Sequence, residues 1–351
     1  MNVSKSNLAY LDKRISAYCE KHSIMGALRI TLQDEIIFEK NIGLANIEKN
    51  IPFSKDSIFT LYSLSKPFCV LGLLKLVDRG LVDLDVHPAT YIPEANGFDE
   101  RVTIRQMLHH TSGLPDFEQS ADFAEKYAPG PASLTREHLK ILVTYPQYFE
   151  PGTRGMYANI NMILCALIIE NVTGISYGDY MKKEVFEPLG MKNAAVVTDK
   201  SQIYNQVQGY DLVDGKLAPI DTSYDWLIGA GDIVATVDDV YKINGAIKQR
   251  LLLSDKLWDE VLTPSPINSM GMGCMVTLWH DKWRITHNGG HFGFRTLHIL
   301  LPDDDFDVIF LSNCGFGNAR GDILQIIHSI IYERPNDEAQ DVEMDKGYIK
   351  N

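Results

Sequence analysis

The 351-residue sequence predicts an α/β fold: an antiparallel sheet, flanked by terminal helices, with an inserted all-helical subdomain. Three observations lead there. Two strand-like runs, "GALRITLQ" and "EIIFEKNIG", stand near the N-terminus around a polar turn at Asp34. Strand signals then lapse until about residue 265, where "GCMVTLWH", "WRITHN", "FRTLHILL" and "DVIFLSN" follow one another across polar or glycine turns. Helical patterns open and close the chain.

The opening "MNVSKSNLAYLDKRISAYCEKH" spaces Leu8, Leu11, Ile15 and Tyr18 as one apolar face of a helix, and "GDILQIIHSIIYE" supplies a last one. Between the two groups of strands the signals are helical. "SKPFCVLGLLKLVDRG" closes on Gly80, and "TIRQMLHH", "NMILCALIIENVTG" and "VDDVYKINGAIKQRLL" follow. These limits predict a discontinuous sheet domain over 1–60 and 265–333, a mainly helical domain over 61–264, and a flexible acidic tail over 334–351.

Composition narrows the function. Hydrophobic residues make up 45% and charged residues 23%, the balance of a soluble globular protein with a large core. A net charge of −13 argues against a nucleic-acid partner, because phosphate backbones are held by clustered Lys and Arg. The five cysteines (Cys19, Cys69, Cys165, Cys274, Cys314) are scattered and form no C-x-x-C pair, which predicts neither a disulfide framework nor a metal site. No run reaches the roughly 20 apolar residues of a membrane span, and the N-terminus has no apolar leader core. The expectation is a cytoplasmic protein without cofactor or membrane contact.

The stretch "FTLYSLSKPFCV" poses the chemical question. Residues three apart on a helix share a face, so Lys66 reaches Ser63 and diverges from Ser65. At the head of an apolar helix Ser63 also meets unsatisfied N–H groups and the positive end of the dipole. Ser63 is therefore the candidate nucleophile, and helix capping is the plainer alternative. Pro67 disfavours regular helix at Lys66 and at the carbonyl of Ser63, so an irregular first turn is expected. "GISYG" is a rival, since it fits the nucleophile elbow G-x-S-x-G. That motif needs a preceding strand, whereas a helical run precedes it and Ser176 to Asp179 read as a helix N-cap.

A serine nucleophile needs a base, and an ordinary lysine with a pKa of roughly 10.4 is a poor one at neutral pH. "GMYANIN" offers Tyr157 and Asn159: a phenol beside an ammonium shares its proton, and an asparagine can donate to a substrate carbonyl. A surface turn is the ordinary reading of that stretch. "THNGGHFGF" brings His287, Asn288, Gly289 and Gly290, where the glycines admit close backbone approach and the Gly290 N–H can join that of Ser63 in an oxyanion hole. A hairpin turn with a structural histidine is the alternative.

The order S-x-x-K, Y-x-N, H-x-G resembles the serine β-lactamase and penicillin-binding-protein superfamily, most of all its class C β-lactamase-like branch with D-aminopeptidases, D,D-peptidases and esterases. "LHHTSGLPDF", "FEPGTRGMYANINMILCALIIENVTGISYGDYMKKEVFEPLGMKNA" and "GAGDIVATVDDV" are similar to the text between that family's motifs. The resemblance covers residues 10 to 330 and implies a β-lactamase/transpeptidase-like fold. It also implies Ser63 as nucleophile, Lys66 and Tyr157 as its activators, Asn159 as substrate binder and the Gly290 N–H in the oxyanion hole. The third motif reads H-N-G where many β-lactamases carry K-T-G, so His287 is expected to titrate near 6.5, shifted by about a unit. Arg295 beyond it is either a replacement cation or a solvated strand residue. The implied activity is serine hydrolysis of an ester or amide in a small molecule or short peptide through an acyl-enzyme. A catalytically silent relative that binds a peptide or metabolite is the second possibility.

Overall fold

The computed structural model describes residues 3–117, 120, 122, 136–198, 203–221, 227–279 and 281–333; the predicted tail over 334–351 lies outside them. The chain divides into two compact units, one formed by residues before 25 and after 317, the other by 25–317. In the first, helix α1 (Lys5–His22) is joined to the C-terminal helix at Ala319–Ile331 by the Tyr18 hydroxyl on Asp322, 2.6 Å, and the Asn7 amide on the Ile330 carbonyl, 3.3 Å. Ser4 caps α1 by accepting from the Asn7 N–H. Its fully buried positions are Asn7, Leu11, Ile15 and Cys19, so the apolar face is rotated slightly from the predicted one, leaving Leu8 and Tyr18 half-buried.

The second unit is built on a six-stranded antiparallel sheet. Its strands are β1 (Gly26–Leu32), β2 (Glu35–Ile42), β3 (Met275–Trp279), β4 (Lys282–His291), β5 (Phe294–Leu301) and β6 (Phe306–Ser312), in the spatial order β3-β4-β5-β6-β1-β2. The antiparallel sheet predicted from the two groups of strands is present, with β1 seated against the last strand from Gly26↔Ser312 to Leu32↔Phe306. β1 and β6 are buried along their whole length, as central strands require.

The long insert between β2 and β3 is rich in helix. Helix α2 (Lys66–Asp78) and helix α3 (Ile160–Thr173) are buried almost all round and pack together. Gly174, at φ 71°, ends α3, and Gly80, at φ 70°, follows the end of α2. Thr236 and Asp239 form a capping box that opens helix α4 (Val237–Gln249). The insert also holds strands that the helical reading passed over. Phe59–Thr60, Ile233–Ala235 and Ala195–Val196 form a three-stranded sheet, and Gly209–Val213 pairs with Lys216–Ile220 around Asp214 and Gly215, both at positive φ.

Candidate active site

The backbone around Ser63 is set by one proline. Pro67 has no N–H to give the Ser63 carbonyl, which accepts instead from the Lys66 N–H, three residues on. Tyr62–Ser65 is accordingly a turn of 3₁₀ helix, and the predicted irregular first turn is present. In that geometry side chains at i and i+3 eclipse, which brings Lys66 Nζ to 3.0 Å from Ser63 Oγ. Lys66 is wholly buried and donates a second bond of 2.8 Å to the Ala230 carbonyl, while Ser63 is only half-buried. A wholly buried amine thus stands behind a half-buried serine.

Ser65 and Ser176 are occupied elsewhere. Ser65 Oγ accepts the Ile233 N–H at 3.1 Å in the core. Ser176 caps the helix Tyr177–Met181 by accepting from the Asp179 N–H at 3.1 Å, and the segment before it is α3, not a strand. The elbow geometry is absent at that serine. Tyr62 takes a left-handed φ of 48°, on the order of 1–3 kcal/mol above its relaxed backbone. Its ring is held edge-on by His291 at 5.7 Å and lies 6.1 Å from Phe294.

Tyr157 lies over Lys66, whose Nζ is 4.8 Å from the ring centroid, and the residue is 39% exposed. Asn159 is buried at the start of α3, where its N–H and that of Ile160 share the Asp116 carboxylate. His287 is buried with its ring 6.2 Å from that of Tyr157. Its Nδ1 meets the Asn288 carbonyl at 2.7 Å; a carbonyl only accepts, so Nδ1 carries the proton and Nε2 is left as an acceptor. Burial, and then the charge of Lys66, push this histidine well below its ordinary pKa. The expected titration near 6.5 is thereby corrected: His287 is neutral at physiological pH, because desolvation outweighs every group that would favour the imidazolium.

Gly289 is where the sheet touches the serine turn. A Cβ there would lie 2.0 Å from the Leu61 carbonyl oxygen and 3.0 Å from the Leu64 nitrogen, so only glycine lets β4 approach this closely. Thr296 on β5 ties the same point by donating to the Leu61 carbonyl at 2.8 Å. Gly290 is the next residue along the strand and is exposed, and Asn288 beside it is half-buried. Ser63, Lys66, Tyr157 and His287 are thus linked by direct contacts, with Asn159 two residues beyond Tyr157 and Asn288, Gly289 and Gly290 on the strand that carries His287.

Two groups escaped the sequence reading. The Gly229–Asp232 turn gives Lys66 its carbonyl; Gly229, at φ 71°, fits it against α2 and α3, since a Cβ there would be 2.7 Å from the Met162 carbonyl oxygen. His110 is the other. Its carbonyl accepts from Met156 at 2.9 Å, its Nδ1 accepts from Ala158 at 3.2 Å, and its ring stacks on Tyr157 at 4.6 Å. Both flanks of Tyr157 and its ring are therefore held by one residue, itself at a left-handed φ of 54°. Asn161, braced by the Ser112 hydroxyl at 2.7 Å, lies 3.2 Å from the same Nδ1. Burial and Lys66 push His110 down to about 3, so this ring is neutral as well.

The chain is similar to known proteins along most of its length. The family model described as "Beta-lactamase" matches residues 11–328. Penicillin-binding protein 4* of Bacillus subtilis (strain 168) is 29% identical over 316 residues, covering 84% of this chain and 69% of that protein. A D-aminopeptidase of Gluconobacter oxydans (strain 621H) is 24% identical over 318 residues, 89% of this chain and 60% of that protein. Among solved structures, a D-stereospecific amidohydrolase from Streptomyces sp. superposes with a TM-score of 0.79 at 22% identity, covering 93% of this chain and 99% of that one. Hydrolases are among its relatives, and the match to the family model runs through every element of the site. The chain belongs to the beta-lactamase family, within the serine β-lactamase and penicillin-binding-protein superfamily.

Proposed function

We propose that the protein is a serine hydrolase that cleaves an ester or amide through an acyl-enzyme on Ser63. The observation that carries this reading is the 3.0 Å contact between a half-buried hydroxyl and a wholly buried lysine amine, with a tyrosine ring against that amine. Ser63 Oγ attacks the acyl carbon while its proton passes to the Lys66 and Tyr157 pair, which share it as one unit. That proton then leaves on the departing alcohol or amine. Water takes the same route in reverse and frees the acid from Ser63.

The N–H groups of Ser63 and Gly290 take the developing oxyanion, and the Asn159 amide orients the substrate. His287 acts in the neutral form, as an acceptor close to Tyr157. With no lysine at that position, esters and D-aminoacyl amides fit better than efficient β-lactam hydrolysis. Treatment with a fluorophosphonate followed by peptide mapping tests the reading. Label on Ser63, lost in Ser63→Ala together with turnover of a p-nitrophenyl ester, is the expected result. Label on Ser176, or ester turnover by Ser63→Ala, overturns it, and an unlabelled, inactive wild type leaves a binding protein.

A further inference from the structure

The turn that holds Lys66 carries an acid for which the chemistry above has no use. Asp232 closes the Gly229–Asp232 turn and is 2% exposed. Its backbone is fastened to the serine turn from both sides. Two residues before it the Ala230 carbonyl takes Lys66 Nζ at 2.8 Å; just after it Ile233 donates its N–H to Ser65 Oγ at 3.1 Å and accepts the Leu61 N–H at 2.9 Å. Glycines allow the fit, since a Cβ on Gly229 would stand 3.0 Å from Cys69 Sγ and one on Gly231 3.4 Å from Tyr62 Cα. Asp232 Oδ1 is enclosed in this place and has no hydrogen-bond partner among the described residues. A carboxyl and an amine are thus buried at one short turn.

A buried carboxyl ionises only where a cation or hydrogen bonds favour the charged form, and here the opposing influences nearly balance. Burial lifts Asp232 to about 7, the N–H groups of Gly229 and of Asp232 itself and then the charge of Lys66 pull it down, and Glu170 on α3 adds to the lift. The Cys69 thiol and the Tyr177 phenol, which feel the same carboxyl, are raised by burial and stay neutral. His110 and His287, which feel Lys66, are neutral as well. Asp116, also buried, accepts the Asn159 and Ile160 N–H groups at the start of α3.

We propose that Asp232 is a positioning residue that acts through Lys66: as a carboxylate it balances the ammonium, and it thereby sets how firmly the unit of Lys66 and Tyr157 holds a proton. This rests on the serine-hydrolase reading, in which that unit must be free to take the proton of Ser63. An anion near an ammonium favours the charged form, so Asp232 makes the unit a weaker acceptor from Ser63. The sign is the same whether lysine or tyrosine carries the proton, because the two titrate together.

The test is the rate of acylation by a fluorophosphonate from pH 5 to 10 on wild type, Asp232→Asn and Asp232→Ser. Both neutral replacements move the rising limb of the rate to lower pH by about one unit or more, as loss of a nearby opposite charge requires. A residue that merely packs the turn would lower the rate at every pH and leave the limb in place, and that result overturns the proposal. The infrared carbonyl band of protonated carboxyls gives a second reading that does not depend on how the Asp232 variants fold. In Lys66→Ala one such band persists to higher pH than in wild type, because the cation that favours the carboxylate is gone. Identical titrations in the two proteins refute the proposal, and so does a shifted band that survives Asp232→Asn, since it belongs to another acid. If wild type is not acylated at all, the hydrolase reading fails separately, and the infrared comparison still decides whether Asp232 answers to Lys66.

Discussion

Replacing Gly289 by alanine is the sharpest perturbation that the structure offers. The new methyl carbon would sit 2.0 Å from the Leu61 carbonyl oxygen, 2.5 Å from Thr296 Oγ1 and 3.0 Å from the Leu64 nitrogen. Carbon and oxygen rest at about 3.3–3.6 Å, so β4 and the serine turn must part by roughly 1.3 Å. The nearest neighbour is backbone and is pinned by the Thr296 hydroxyl, so no side chain can swing aside. Such overpacking destabilises by about 1–3 kcal/mol. The effect on chemistry is larger, because Gly290 follows Gly289 on the moving strand and Ser63 stays on the turn. A displacement of about 1 Å between reacting groups slows a reaction on the order of a hundredfold, and loss of one oxyanion donor costs a similar factor. The assay is the rate of acylation by a fluorophosphonate beside a thermal melt. Gly289→Ala should acylate about a hundredfold more slowly while still melting cooperatively. Gly290→Ala, whose methyl would have the flexible arm of Arg295 as its nearest neighbour, should lose far less. Acylation of Gly289→Ala within threefold of wild type would refute the argument that this contact aligns the site.

His110→Asn keeps an acceptor for the Ala158 N–H and tolerates the left-handed backbone but removes the stack on Tyr157, so acylation should slow about tenfold; in a Tyr157→Phe background the same change should add little, and a multiplying loss would show that His110 does not act through Tyr157. Because His287 is held neutral, kcat/KM measured from pH 5 to 9 should show no limb near 6.5 that His287→Gln abolishes; such a limb would mean that the imidazolium forms. Asp307 on β6 is buried 3.7 Å from Lys248 and is raised to about 6, burial outweighing the lysine. A raised acid binds more protons folded than unfolded, so its contribution is intact below about pH 4 and is lost as pH rises through 6; denaturant melts of Asp307→Asn should show a flatter stability profile between pH 4 and 7, and an unaltered slope would contradict the assignment.

Several of these residues could be found by spacing alone, and the reasons are local. Ser63 and Lys66 stand three apart, and that interval survives whether the turn is α or 3₁₀. Gly80 and Gly174 end their helices because a left-handed residue must, and the strands from Met275 to Ser312 carry enough β-branched residues and turns to be read singly. Strands such as Phe59–Thr60 and Ile233–Ala235 are too short to show a period, so helix signals around them prevailed. The hairpin at Asp214 and Gly215 did have a signal, since D-G is a hairpin dipeptide. His110 and Ala230 were out of reach because their roles consist of contacts made across long stretches of chain. The charge state of His287 failed for a related cause: it depends on how deeply the ring is buried, and a motif does not record depth.

The pairing of Gly26 with Ser312 has a consequence for the order in which the protein is made. A ribosome delivers Ser63 and Lys66 early, yet Gly289 and Gly290, which the turn leans on, come more than two hundred residues later. At about 5–20 residues per second the interval is roughly 10 to 45 s. During it β1 has β2 beside it but lacks its other neighbour, β6, and pairings between such distant segments close slowly because the intervening loop must be ordered first. The serine turn therefore waits, without the strand it leans on, until the last strands leave the ribosome and close the sheet beside it.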